Sequence, residues 1–182
     1  MTSHFSEPFN SLDQRFVNVW IGTGVAWMLT IGWGLRHSTQ PTIAVAFLVS
    51  APLMSLAIAY DVNYRVLPRR LSHITLAAML PFVLVSSGPG RTGAITGAVA
   101  MLALTLVVDS LAGGVLGRGD VHFSPVIGLA VGWFEPRQVL TVWLVAALIA
   151  AVVSAVDRRR ESLVPYGPLF MVGASVAIVL AT

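Results

Sequence analysis

Seven long apolar runs constrain the fold of this 182-residue chain more than any other feature. Most of them approach the roughly 20 residues that an α-helix needs to cross a bilayer. The runs cover residues 16–35, 41–60, 71–87, 92–112, 121–134, 137–156 and 168–182. The fifth and seventh are short and need shielding by neighbouring helices, and six spans remain the alternative if one run lies at the membrane interface. We therefore predict an all-α polytopic membrane protein, a bundle of six or seven transmembrane helices.

The composition supports this prediction and leaves no room for a second globular domain. Hydrophobic residues make up 56% of the chain and charged residues only 10%, which is too apolar for an ordinary water-soluble domain. We assign residues 1–15 to a short polar tail and residues 16–182 to one membrane-embedded domain. The tail lacks the basic start and the small-residue cleavage site of a secretory signal.

Several classes of function are excluded by residue types that are missing. Cysteine is absent, which excludes disulfides, thiolate zinc sites and cysteine nucleophiles. The eleven basic residues are all arginines in short loops, without the basic face and interleaved aromatics of a nucleic-acid-binding surface. The four histidines are scattered and show no set of metal ligands. We therefore expect no nucleic-acid partner, no cofactor and no metal.

The arginines predict the orientation of the chain in the membrane. The loops after the second, fourth and sixth runs carry seven of them: Arg65, Arg69, Arg70, Arg118, Arg158, Arg159 and Arg160. Four are assigned to the other side: Arg15, Arg36, Arg91 and Arg137. Cytoplasmic loops carry the excess of positive residues, so the first set is predicted to be cytoplasmic. Asp61 and Asp120 both fall on that side, as a shared site requires.

Asp61 and Asp120 are acids at the edges of apolar runs, where a carboxylate is costly and needs a reason. They are distant in sequence, so only helix packing can bring them together. Two carboxylates within hydrogen-bonding reach cannot easily both ionise, and such a pair shares one proton. One carboxylate can then deprotonate a water while the other polarises a scissile carbonyl, as in aspartic proteases. We predict a cytoplasm-facing aspartyl dyad of this kind.

Glycines stand beside Asp120 and at helix-packing intervals elsewhere. Gly117 and Gly119 are predicted to allow tight or left-handed turns and close approach of a substrate backbone to Asp120. Three pairs four residues apart fit the small-xxx-small pattern of closely packed membrane helices: Gly93/Gly97, Gly113/Gly117 and Gly128/Gly132. The ordinary glycine content of membrane helices explains any single pair equally well.

Three segments resemble motifs of the prepilin peptidase family, membrane aspartic proteases of the GxGD type that cleave leader peptides from type IV prepilins. Residues 61–72 resemble the first-aspartate motif with its Leu-Pro step, and residues 117–123 resemble Gly-x-Gly-Asp-x-Lys-Leu. Residues 164–174 resemble the C-terminal Pro-(Phe/Tyr)-Gly-Pro segment. The resemblance implies that Asp61 and Asp120 are the catalytic pair. It implies supporting roles for Gly117, Gly119, Pro68, His122, Pro165 and Gly167.

The resemblance also implies an activity and a location. The activity is an aspartic endopeptidase that cleaves the basic leader from prepilin-like precursors, with Flp/Tad-type pilins among the candidate substrates. The expected partners are such a precursor and the lipid bilayer of a prokaryotic inner membrane. The cysteine-bearing N-terminal region of the bifunctional members has no counterpart here, so no methyltransferase activity is expected. The pilus system served and the oligomeric state are left open.

Two positions depart from the family pattern, and other functions compete with the peptidase. Arg69 replaces the usual Asn after the Leu-Pro step, and His122 replaces the usual Lys, so the local charge differs. The alternatives are a non-enzymatic proton-relay transporter, an inactive homologue that scaffolds pilus assembly, or a presenilin-like GxGD intramembrane protease. Asp109, inside the fourth run, is predicted to face the bundle interior and to pair with a polar group or a loop arginine.

Overall fold

The computed structural model describes residues 14–36, 41–114, 116–156 and 166–182. The predicted polar tail, apart from its last two residues, lies outside the described residues, as do Pro165 and the arginines at 158–160. Within the described ranges the chain forms seven α-helices, and a one-turn 3₁₀ helix (Pro136–Gln138) precedes the sixth. The helices are α1 (Gln14–Arg36), α2 (Pro41–Tyr64), α3 (Arg69–Val85), α4 (Pro89–Leu111), α5 (Arg118–Gly132), α6 (Val139–Val156) and α7 (Tyr166–Ala181).

The prediction of an all-α polytopic membrane protein is confirmed. One helix corresponds to each of the seven apolar runs, and the described residues contain no strand. Four helical segments are long and apolar enough to cross a membrane by length and composition: Gln14–Arg36, Thr42–Tyr64, Pro89–Leu111 and Pro136–Ala155. The number of spans, six or seven, stays a prediction.

The outer surface of the bundle is apolar, as expected of helices that face lipid. In α6, Leu140, Leu144 and Leu148 recur every four residues and each is more than 60% exposed. The opposite face of the same helix, which includes Val142 and Ala146, is fully buried. A water-soluble bundle would place polar residues on the exposed stripe.

The short helix α5 occupies the centre of the bundle. Ten of its 15 residues are buried, and it packs against α3, α4 and α7. This explains why a run of only 14 apolar residues can form a helix here, since its neighbours shield it from the surroundings as predicted. The central position matters for function because α5 carries Asp120 in its first turn.

Glycines make the contact between α4 and α5 unusually close. Gly93 and Gly97 of α4 face Gly132 and Gly128 of α5, with backbone against backbone. A Cβ atom added at Gly128 would lie 2.5 Å from the Cβ of Met101. The packing role predicted for these two pairs is therefore found.

The third pair, Gly113/Gly117, lies outside any helix-packing contact, so the prediction for it was wrong. Helix α4 ends at Leu111, and the next residues form the loop that leads into α5. Gly113 and Gly114 adopt φ angles of 74° and 81°, in the left-handed region where side chains are disfavoured. These glycines allow the turn between the two helices instead.

Asp61 and Asp120 lie at one end of the bundle, which we call the aspartate end. Helix α2 ends there, and α3, α5 and α7 begin there. Helix α1 also begins there, because the ring of Phe16 packs against Tyr60 at 5.2 Å and against Tyr64 at 5.9 Å between centroids. Arg15 therefore belongs to this end, and its assignment to the opposite side was wrong. Because successive helices run in opposite directions, the start of α1 lies on the same side as the loops after α2, α4 and α6. With the loop arginines assigned from the sequence, the count becomes eight against three, and the orientation stays a prediction.

Candidate active site

Asp61 lies in the last turn of α2, and its side chain reaches the start of α7. Only 5% of the residue is exposed. Its Oδ2 accepts a hydrogen bond of 3.0 Å from the backbone N–H of Gly167, which lies 106 positions further along the chain. The first N–H groups of a helix have no partner within the helix, and the helix dipole favours a negative charge there. Asp61 thus caps α7 from another helix.

Glycine is required at position 167 for this contact. A Cβ atom there would lie 2.6 Å from Oδ2 of Asp61 and 2.9 Å from Cδ1 of Leu67. Both distances are shorter than ordinary van der Waals contacts, so any side chain would push the carboxylate away. The supporting role expected of Gly167 has this steric and hydrogen-bonding basis.

Asp120 is the third residue of α5, and its carboxylate turns back to the helix start. Its Oδ2 lies against the backbone of Gly117, the N-cap residue. A carboxyl side chain three residues after the N-cap is in the position from which it can cap a helix start. A Cβ atom at Gly117 would lie 2.8 Å from Oδ2 of Asp120. Each aspartate carboxylate therefore lies against a glycine at the start of a helix.

Helix capping does not explain the position of the second carboxylate oxygen of Asp120. Oδ1 is buried, and the described part of the chain offers it no hydrogen-bond partner. Capping uses one oxygen only, and a buried polar atom without a partner costs roughly 1–3 kcal/mol, more when it is charged. The arrangement is costly for stability, and costs of this kind are concentrated at functional sites.

The structure brings Asp61 and Asp120 to the same end of the bundle, each against the start of a helix. Leu67 lies next to a glycine at the start of both α7 and α5. Its Cδ1 lies beside Gly167, and its carbonyl oxygen would lie 2.5 Å from a Cβ atom at Gly119. The loop between α2 and α3 is thereby held against the first turn of α5. The sharing of a proton between the two carboxylates stays a prediction.

The left-handed conformation, one of the two turns predicted for Gly117 and Gly119, was wrong. Gly117 has φ of −62°, and Gly119 is also outside the positive-φ region. Instead, the missing side chains leave space for Asp120 at Gly117 and for the Leu67 backbone at Gly119. The approach of a substrate backbone to Asp120 stays a prediction.

Pro68 and His122 occupy helix starts, whereas Pro165 lies outside the described residues. Pro68 is the N-cap of α3, and its carbonyl accepts hydrogen bonds from the N–H groups of Leu71 and Ser72 at 3.0 and 3.3 Å. Its role is to begin α3 directly after the Asp61 loop. His122 lies in the second turn of α5, where its Nδ1 is 2.7 Å from the carbonyl oxygen of Arg118.

Tyr166 is a site residue to which the sequence analysis gave no role. It precedes Gly167, and its phenol interacts electrostatically with Asp120. Its ring packs against Phe170 at 5.9 Å and Trp143 at 6.5 Å between centroids. The available signal was its position inside the third motif, beside the glycine that bonds Asp61.

Asp109 has a partner, as predicted, and the partner is a polar backbone group. Its Oδ1 accepts a hydrogen bond of 2.9 Å from the N–H of Leu116. The bond ties the last turn of α4 to the end of the loop that carries Gly113 and Gly114. Asp109 thus stabilises the loop that leads to Gly117, and it is not part of the aspartate pair.

A family model described as the Type IV leader peptidase family matches residues 48–155. The chain belongs to the type IV leader peptidase family. The family resemblance seen in the motifs is confirmed, and the match supports a leader-peptidase-like aspartic protease. The matched range contains both aspartates and ends before α7, which supplies Gly167. No curated protein and no solved structure matches the chain.

Proposed function

We propose that this protein is an aspartic endopeptidase that removes the basic leader peptide from prepilin-like precursors. One observation carries the proposal. Two buried carboxylates from α2 and α5, each lying against a glycine at a helix start, are found at the same end of an apolar bundle. Such a pair, in a member of the type IV leader peptidase family, has the chemistry that peptide hydrolysis requires.

The proposed mechanism uses one proton shared between Asp61 and Asp120. The ionised carboxylate removes a proton from a water molecule, whose oxygen attacks the scissile carbonyl carbon. The protonated carboxyl donates to the carbonyl oxygen, and a tetrahedral intermediate forms. On its collapse the C–N bond breaks and the departing nitrogen takes a proton from the pair. Oδ1 of Asp120, buried without a partner among the described residues, is the acceptor atom that water or substrate would bond on reaching the pair.

The proposed substrate has a short basic leader followed by an apolar helix. That helix would lie in the bilayer beside the bundle and would place the cleavage junction at the depth of the aspartates. The resemblance implies cleavage after a Gly just before the helix, and Flp/Tad-type pilins fit this description. The arginines at the aspartate end argue against a simple charge attraction for the leader, so recognition would rest on the apolar helix.

The catalytic assignment is tested by conservative substitution. Asp61→Asn and Asp120→Asn should each abolish processing of a co-expressed prepilin while the protein still accumulates in the membrane. Asparagine keeps an acceptor oxygen for the glycine N–H but cannot take part in proton transfer. Pilin size on a gel is the measurement, and Asp109→Asn is the matched control. Normal processing by either variant would show that the assignment is wrong.

A purely structural role is the competing account, because Asp61 caps α7 and the Asp120 carboxylate lies against the start of α5. It makes the opposite prediction for the same variants. If capping were the whole function, asparagine would substitute for both acids with little effect on any activity of the protein.

We propose that the aspartate end faces the cytoplasm of a prokaryotic inner membrane. Eight of the eleven arginines belong to that end in the sequence, as positive-inside topology requires. A reporter fused after Arg160 should give a cytoplasmic signal. A periplasmic signal would overturn the orientation without affecting the assignment of the aspartates.

A further inference from the structure

Two histidines outside the aspartate pair face each other between α3 and α5. His73 and His122 are each the fifth residue of their helix, and their ring centroids are 5.2 Å apart with planes inclined by 57°. The two helices begin at the aspartate end and pack directly against each other. His73 is exposed and His122 is partly exposed, so neither ring is enclosed by the packed bundle.

The hydrogen bond of His122 determines which of its nitrogens is free. Nδ1 lies 2.7 Å from the carbonyl oxygen of Arg118, and a carbonyl can only accept. Nδ1 therefore carries the proton, and Nε2 of the neutral ring keeps an unshared electron pair. An imidazole that donates its other N–H to a backbone carbonyl is oriented in the way that metal-binding histidines usually are.

The separation of the rings fits a bridging ion. Imidazole nitrogens bind Zn²⁺ at about 2.0–2.1 Å, and a tetrahedral angle between two such bonds holds the ring centroids roughly 5 Å apart. The observed distance is 5.2 Å. The spacing of the two rings is therefore the one that a shared ion would require.

We propose that His73 and His122 form a two-histidine site for a transition-metal ion such as Zn²⁺, Ni²⁺ or Cu²⁺. The described residues contain no group of three or more His, Asp or Glu side chains that could hold a metal, so water would complete the coordination. Imidazole favours these ions over Mg²⁺ and Ca²⁺. Because α3 follows the Asp61 loop and α5 carries Asp120, a bound ion would link the two halves of the candidate active site.

Nearby arginines limit the affinity without blocking the site. Arg69 and Arg118 lie one helical turn closer to the aspartate end than the histidines, and both are exposed. Repulsion between an exposed guanidinium and a bound cation is reduced by water and salt, with a screening length of about 8 Å. The site should therefore bind ions more weakly than a site built from three or four protein ligands.

The proposal is tested by metal binding, which does not depend on peptidase activity. The full chain is purified in detergent with an affinity tag free of histidine and titrated with Cu²⁺ or Zn²⁺ alone. Electron paramagnetic resonance should show one Cu²⁺ per chain with two imidazole nitrogens, and Zn²⁺ should raise the temperature of thermal unfolding. Mg²⁺ should do neither.

Variants decide whether these two histidines are the ligands. His73→Ala and His122→Ala should each weaken binding about tenfold or more, since even loss of a second-shell partner of a metal ligand costs roughly 10–100-fold. His37→Ala is the matched control and should bind as the wild type does. Helical content by circular dichroism checks folding, and His73→Gln replaces any alanine variant that fails this check. Equal binding by the wild type and the His73 variants would overturn the proposal, as would a spectrum without two imidazole nitrogens.

Discussion

Replacing Gly167 with alanine tests whether the contact between α2 and α7 positions Asp61 for chemistry. The added Cβ atom would lie 2.6 Å from Oδ2 of Asp61, where ordinary contacts begin at 3.4 Å. The carboxylate or the start of α7 must therefore move by about 0.8 Å, and a misplacement of about 1 Å near reacting groups can cost roughly 100-fold in rate. The hydrogen bond from the Gly167 N–H, worth about 1.5–3 kcal/mol to a charged acceptor, is lengthened or lost.

The assay is the initial rate of leader removal from a purified prepilin by the enzyme in detergent or liposomes. We expect Gly167→Ala to lower this rate by about 100-fold while the protein remains folded. Gly32→Ala is the matched control, because a Cβ atom there has no other atom within 4 Å. A Gly167→Ala rate within about threefold of wild type would refute the reasoning, since the predicted displacement would then not reach the reacting groups.

Two further predictions concern stability. Gly128→Ala should lower the free energy of unfolding by about 1–3 kcal/mol, because the added Cβ atom would overpack against Met101 and the backbone of Gly97. Gly22→Ala is the control and should leave it unchanged, because there is open space around the Cβ position of Gly22. An unchanged unfolding temperature for Gly128→Ala would contradict the close α4–α5 contact. Asp120→Asn should raise the free energy of unfolding by about 0.5–2 kcal/mol, because it replaces a buried ionisable carboxyl with a neutral amide that keeps an acceptor oxygen at the helix start. Thermal unfolding in detergent measures both, and a destabilised Asp120→Asn variant would mean that the carboxylate stabilises the fold.

The helices were predictable because apolar runs of this length have few other structures available. Their ends were less predictable, and α2 shows why. The second run stops at Tyr60, where polar residues begin, yet the helix continues to Tyr64. Asp61 and Asn63 can remain helical because Asp61 is buried against α7 and the Asn63 side chain bonds the carbonyl of Ala59 at 2.8 Å. Tertiary contacts, which the local pattern does not contain, decided this boundary.

The two acids of the candidate site could be predicted from the sequence, but the groups that contact them could not. Asp61 and Asp120 stood out as carboxylates at the edges of apolar runs, and each lay in a recognisable motif. The N–H that Asp61 accepts comes from Gly167, and no periodicity relates residues 106 positions apart. The space that Gly119 leaves for Leu67 is equally a property of packing. The sequence marks the glycines as unusual, but only the assembled bundle shows what each of them makes room for.

The arrangement also bears on which part of the chain makes the site. The family match covers residues 48–155, and both aspartates lie inside it. The hydrogen bond to Asp61 and the electrostatic contact of Tyr166 with Asp120 both come from α7, outside that range. Helix α7 also packs against the central helix α5. A carboxylate that must hold a defined position needs partners that are themselves fixed by packing, and here the last helix supplies them. The two acids are therefore necessary for the candidate site, but the matched range alone does not contain the groups that orient them.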